Sequence, residues 1–149
     1  MKIAIAADHA GFTLKEALRE RLSADGHQLT DVGTFSEEST DYPDFAFRVG
    51  KAVAKGRCDR GILVCGSGIG MSIAANKVPG VRAALVWSVK TAGLAAEHNR
   101  ANVLCVPGRL ATLSEIRKFV KAWLTTPADP SQRHERRVKK IGKFEAKLS

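Results

Sequence analysis

Ile62-Leu63-Val64-Cys65-Gly66-Ser67-Gly68-Ile69-Gly70 joins an apolar run to a glycine-rich turn. The run is short and uniformly apolar, which predicts a strand buried on both faces (Gly61–Cys65). A helix is expected to follow, from Met71 to Lys77. A strand that hands over to a helix through such a turn predicts one unit of a parallel α/β sheet. Cys65 falls where strand meets turn, close to backbone N–H groups that favour negative charge. Such surroundings lower a thiol's pKa from its usual value of about 8.5 and make thiolate available.

The same alternation recurs on either side. Ile3–Ala7 predicts a first strand and Phe12–Asp25 a helix, with Leu14, Leu18 and Leu22 on one face and Gly26 as its stop. Gln28–Val32 predicts a second strand. Asp44–Lys55 predicts a helix with Phe45, Val49 and Val53 on one face, Pro43 near its start and Gly56 beyond its end. Ala83–Val86 and Val103–Val106 predict two further strands around a helix at Val89–Glu97. Thr112–Leu124 predicts a fifth helix, and Thr125–Pro130 a breaker-rich linker. A basic tail over 131–149 is expected to be helical. The fold expected is a three-layer α/β/α sandwich, Rossmann-like, with five parallel strands and a C-terminal helix. It forms a single domain over 1–149.

Composition limits the function classes. The chain has 149 residues and 44% hydrophobic content, enough for a real core. Three cysteines, Cys58, Cys65 and Cys105, form no CxxC pair, which argues against a disulfide framework and a structural zinc site. A reducing, cytoplasmic setting follows. No apolar run reaches the roughly 18 residues of a membrane span, and Asp8 interrupts the one at the N-terminus. The net charge is +9, and residues 131–149 hold seven Lys/Arg against two Glu. That tail suits nucleic acid, an acidic partner or a phosphorylated small molecule. Low aromatic content and the lack of a nucleic-acid motif weigh against the first. A redox-sensing thiol is disfavoured by the missing resolving cysteine.

Ligands of open α/β sheets bind beyond the carboxyl ends of the strands. That rule gathers Asp8 and His9 after strand one, Cys65 and its turn after strand three, and Gly108 and Arg109 after strand five. The turn is not the dinucleotide fingerprint, whose third glycine would fall at Met71, and no Gly-Lys-Ser/Thr follows it. It remains a nest of N–H donors for an oxyanion. His98 and Asn99 end the fourth helix, where a histidine serves either as a cap or in proton transfer. Arg133 and Arg137 share a helix face and suit phosphate. Cys105 lies inside a strand and Cys58 in a charged loop, and both are expected to be structural or incidental.

Ala7-Asp8-His9-Ala10-Gly11, Thr40-Asp41-Tyr42-Pro43, the run from Cys65 to Lys77, Glu97-His98-Asn99, Ala101-Asn102-Val103-Leu104 and Arg133-His134 occur together. With them the chain resembles the ribose-5-phosphate isomerase B family, within the group that includes galactose-6-phosphate isomerase subunits. The resemblance implies an aldose–ketose isomerase of ribose 5-phosphate, or of a six-carbon aldose 6-phosphate. It implies Cys65 as catalytic base, His98 as the group that opens the sugar ring, and Ser67 as a helper in proton movement, in place of a threonine common there. Asp8, His9, Tyr42, Gly66, Gly68, Ile69, Gly70 and Asn99 are implied on substrate, and Arg109, Arg133, His134 and Arg137 on phosphate. It implies no metal or other cofactor, and dimers or tetramers whose sites combine residues of two subunits.

Overall fold

The computed structural model describes residues 1–148, so Ser149, the last residue of the expected tail, lies outside the described residues. Among them, five strands alternate with helices, and a sixth helix ends the chain. The strands are β1 (Lys2–Ala7), β2 (Gln28–Asp31), β3 (Arg60–Cys65), β4 (Ala83–Leu85) and β5 (Val103–Pro107). The helices are α1 (Phe12–Ala24), α2 (Tyr42–Ala54), α3 (Ile69–Ala75), α4 (Val89–Glu97), α5 (Leu113–Thr125) and α6 (Gln132–Ala146). The sheet is wholly parallel, in the order β2-β1-β3-β5-β4. This is the expected three-layer sandwich.

Period-two alternation along the strands divides the core in two. Ile3, Ile5, Ile62, Val64, Leu104 and Val106 face α1, α4 and α5. Ala4, Ala6, Leu63, Cys65, Val103 and Cys105 face α2 and α3. Burial on both faces explains why β1, β3 and β5 read as unbroken apolar runs. Cys58 also belongs to the second cluster, so its loop neighbours conceal a core residue.

The strand order reverses direction between β1 and β3. The loops that leave these two strands therefore diverge and open a crevice at the carboxyl edge of the sheet. Two helices start earlier than their sequences suggest. Tyr42 and Pro43 lie inside α2, since proline is well tolerated in a first turn. α3 begins at Ile69, within the glycine run, because Gly68 caps it in the left-handed region (φ 76°).

Candidate active site

Cys65 ends β3 and is buried, and its Sγ accepts the Gly68 backbone N–H at 3.1 Å. That bond needs the left-handed turn at Gly68. A Cβ there would lie 2.5 Å from the Leu85 side chain. Cys105 is on the same face but is fully buried. Burial, reinforced by the nearby Cys65, pushes its thiol up and keeps it protonated. The Cys65 thiol ends its strand at the carboxyl edge of the sheet, where ligands of such sheets bind.

The residues at this edge of the sheet come from the connections after β1, β2, β3 and β5. The Asp8 carboxylate is buried and accepts the Gly11 N–H at 3.1 Å, so it shapes the first turn of the β1–α1 loop. His9 Nδ1 accepts the Thr40 N–H at 3.2 Å. A neutral His9 therefore carries its proton on Nε2, which remains available as a donor. From the β5 side, Gly108 N–H bonds Cys65 O at 2.7 Å and Arg109 N–H bonds Gly66 O at 3.0 Å. The Arg109 side chain lies along Gly66. Ser67 Oγ accepts the Ile69 N–H at 3.2 Å. Tyr42, at the start of α2, stands so close to Gly70 that a Cβ there would meet its ring at 2.6 Å.

His98, Asn99, Arg133, His134 and Arg137 do not join this group within one chain. α4 leaves the carboxyl edge after β4 and runs back across the sheet, and its nine residues span about 13 Å. His98 caps its far end. The Asn99 and Arg100 carbonyls accept the Arg82 guanidinium, immediately before β4, at 3.1 and 2.8 Å. These residues therefore sit at the amino edge of the sheet, opposite Cys65.

α6 is tied to the same corner. Asp129 N–H bonds Glu97 O at 2.9 Å. The Asp129 carboxylate accepts the Ser131 N–H and hydroxyl at 2.7 and 2.8 Å, and these bonds hold it below the usual carboxylate range. His134 stacks on His98, with ring centroids 4.0 Å apart and planes within 5°. Arg133 Nε donates to His134 Nε2 at 3.3 Å, and Asp129 Oδ2 lies 3.4 Å from that nitrogen. Burial pushes the His134 imidazole down, and His98, Arg133 and Arg137 add to this against Asp129. His134, expected on phosphate, is thus buried with its face on His98 and its Nε2 engaged.

His98, Asp129 and His134 are the one group among the described residues with donor atoms close enough to consider for a metal, all within 4.8 Å. Imidazole lone pairs lie in the ring planes. Parallel stacked rings cannot converge them on one ion, and Arg133 already directs a cationic N–H at His134 Nε2. The group is arranged for stacking and hydrogen bonding.

With this geometry in view, the sequence matches the Ribose/Galactose Isomerase family over residues 3–141. The chain belongs to the ribose/galactose isomerase family. One relative is ribose-5-phosphate isomerase B of Mycobacterium leprae, 44% identical over 146 residues, covering 97% of this chain and 90% of that protein. The family member solved from Clostridium thermocellum, also described as a ribose-5-phosphate isomerase B, superposes with a TM-score of 0.96 at 46% identity, covering 100% of both chains. The Mycoplasma genitalium ribose-5-phosphate isomerase B, solved with bound ribulose 5-phosphate, gives 0.92 at 46% identity, covering 97% of this chain and 96% of that one. The family fold therefore extends over the whole chain and includes α6. Among the described residues no helix is long and apolar enough to cross a membrane.

Sequence reasoning missed Asp129, which falls in a stretch rich in helix breakers. Its signal was present: Asp129-Pro130-Ser131 before an amphipathic run has the composition of a helix start. Lys15 was also missed. It is fully buried, with its ammonium on Asp31 and on Thr34 O. It braces the loop that hydrogen-bonds the end of β1, next to Asp8.

Proposed function

We propose that this protein interconverts ribose 5-phosphate and ribulose 5-phosphate through an enediolate, with Cys65 as the base. The carrying observation is the Cys65 sulfur, which receives a backbone N–H at the carboxyl edge of the sheet, where Asp8 and His9 follow β1 and Arg109 follows β5. The bound ribulose 5-phosphate of the Mycoplasma genitalium relative supports the substrate.

The chemistry requires a proton to leave C2 of the open-chain aldose and another to arrive at C1. A thiolate serves both transfers, taking the C2 proton on sulfur and returning one to C1. The product has the same oxidation level overall, so no electron acceptor enters. Of the amides of Gly66 to Gly70, those not already bonded to Cys65 Sγ and Ser67 Oγ stabilise the developing oxyanion, where one donor typically contributes about 10²–10³ in rate. The Ser67 hydroxyl assists proton movement between the two oxygens, while Asp8, His9, Tyr42 and Asn99 orient the sugar. Arg109, Arg133 and Arg137 grip the phosphate and supply alignment of the reacting carbons.

His98 opens the sugar ring, and it does so on the Cys65 of a second copy. Two features support this assembly. The groups assigned to one reaction lie at opposite edges of the sheet in a single chain. The carboxyl edge also carries an exposed apolar rim of Phe35, Ile69, Trp87 and Leu110, after β2, β3, β4 and β5. Such a rim suits burial against another protein surface, and a two-fold dimer forms both sites at once. The basic residues of α6 then serve a small anion and not a polynucleotide. Three free cysteines fit a cytoplasmic enzyme.

Cys65→Ala tests the base. Conversion of ribose 5-phosphate should fall at least 10³-fold with an unchanged melting temperature. Wild-type-like activity in that variant refutes the assignment. Parallel assays on six-carbon aldose 6-phosphates, and with chelator, test the sugar and the metal-free route.

A further inference from the structure

We propose that His134 and Asp129 are positioning residues for His98: the His134 ring fixes the plane of the His98 imidazole, and Asp129 anchors the helix that carries His134. The inference rests on the reading of His98 as the ring-opening group.

Ring opening asks an imidazole to deliver a proton to the ring oxygen of the sugar and to collect one from the anomeric hydroxyl. Both transfers depend on where the ring nitrogens point. A histidine at the last position of a helix has little to hold it, because the chain beyond it is irregular. Here the free face of His98 is covered by a second imidazole at 4.0 Å and 5°. That ring is itself restrained at Nε2, which accepts the Arg133 Nε–H at 3.3 Å. Asp129 fastens the start of α6 twice, to Glu97 O on α4 and to Ser131. The charged groups around the pair are Glu97, 3.7 Å from His98 Nε2, with Asp129, Arg133 and Arg137. A phosphate contact through His134 Nε2 would require that nitrogen to leave Arg133.

Two readouts separate positioning from other roles. Isomerisation starting from ribose 5-phosphate passes through ring opening. Deuterium entry from D2O into C1 of ribulose 5-phosphate does not, since that sugar is acyclic and exchange needs only removal and return of a C1 proton by the thiolate. His134→Ala is expected to lower kcat on ribose 5-phosphate by about 10–100-fold, the scale of a small misplacement of a reacting group. KM should stay within about threefold and C1 exchange within about threefold of wild type. His134→Phe, which restores a flat ring face, should recover kcat to within about fivefold of wild type. Asp129→Ala keeps the backbone bond to Glu97 O and loses only the carboxylate bonds to Ser131, so it should show the same split with a smaller loss than His134→Ala.

Unchanged kcat in His134→Ala overturns the proposal. So does a raised KM at unchanged kcat, which marks a phosphate contact. Equal loss of isomerisation and exchange without rescue by phenylalanine also overturns it, as that pattern marks a scaffold role. Wild-type protein inert in both assays overturns the isomerase reading itself, and this inference with it.

Discussion

Lys15→Met places a neutral side chain of similar length where the fold buries an ammonium. Lys15 has no exposed surface, and its Nζ contacts Asp31 Oδ1 and Oδ2 at 2.8 and 2.6 Å, Thr34 O at 2.7 Å and Glu16 Oε1 at 2.9 Å. Removing one partner of a buried pair costs about 3–5 kcal/mol. The lower end applies to Asp31, which keeps the Gly33 N–H at 3.0 Å and Arg19 at 3.7 Å. Thr34 O loses its ammonium donor, and an unmet acceptor of this kind costs about 1–3 kcal/mol on its own. A total near 4 kcal/mol, at roughly 2–4 °C per kcal/mol for a chain of this size, lowers the melting temperature by about 8–16 °C. Thermal unfolding followed by circular dichroism, with urea midpoints as a second measure, reads this directly. Lys15→Met/Asp31→Leu should recover at least about 1 kcal/mol, because both charges then leave the interior. A drop below about 3 °C in the single variant, or no recovery in the double, refutes the account of Lys15 as a buried brace.

Gly68→Ala forces a side chain into the left-handed region and against Leu85 and Val106. It should cost about 1–2 kcal/mol for the backbone alone, and lower kcat by about 10²-fold as the N–H leaves the Cys65 sulfur; melting and initial rates check both. Glu16 is held at about 2, against an ordinary 4.5, chiefly by its bond to Arg19 and then by Lys15. Its folded pKa is depressed, so its stabilisation is complete above pH 4.5 and is lost as pH falls toward 2. Urea midpoints between those limits should decline less steeply for Glu16→Gln than for wild type.

The strands were legible because parallel strands buried on both faces leave unbroken apolar runs, as in Ile62–Val64 and Val103–Val106. The loops after β1, β3 and β5 followed from strand polarity, so Asp8, His9, Cys65 and Arg109 could be grouped from sequence. Other features lay beyond pattern reading. Gly68 could be seen as permissive, but not as the residue that would take the left-handed turn and start α3 two positions early. Lys15 sits between the apolar positions of α1, and nothing in that spacing marks its amine as buried. Asp129 was concealed among prolines and threonines. The resemblance implied sites shared between subunits, but nothing in the sequence assigned His98 and Cys65 to different ones. Motifs that occur together in one sequence invite assignment to one place, whereas the path of α4 carries them to opposite edges of the sheet.

Such a division of reacting groups has a genetic consequence. On the two-chain reading, each site takes Cys65 from one subunit and His98 from the other. A chain without the cysteine and a chain without the histidine are each inactive alone. Paired together, they form one site that carries both defects and one that carries neither. Random pairing of equal amounts leaves about one quarter of all sites intact. Two null alleles in one cell can therefore complement each other within a single gene, and either null, expressed beside the normal chain, leaves part of the activity in every mixed dimer.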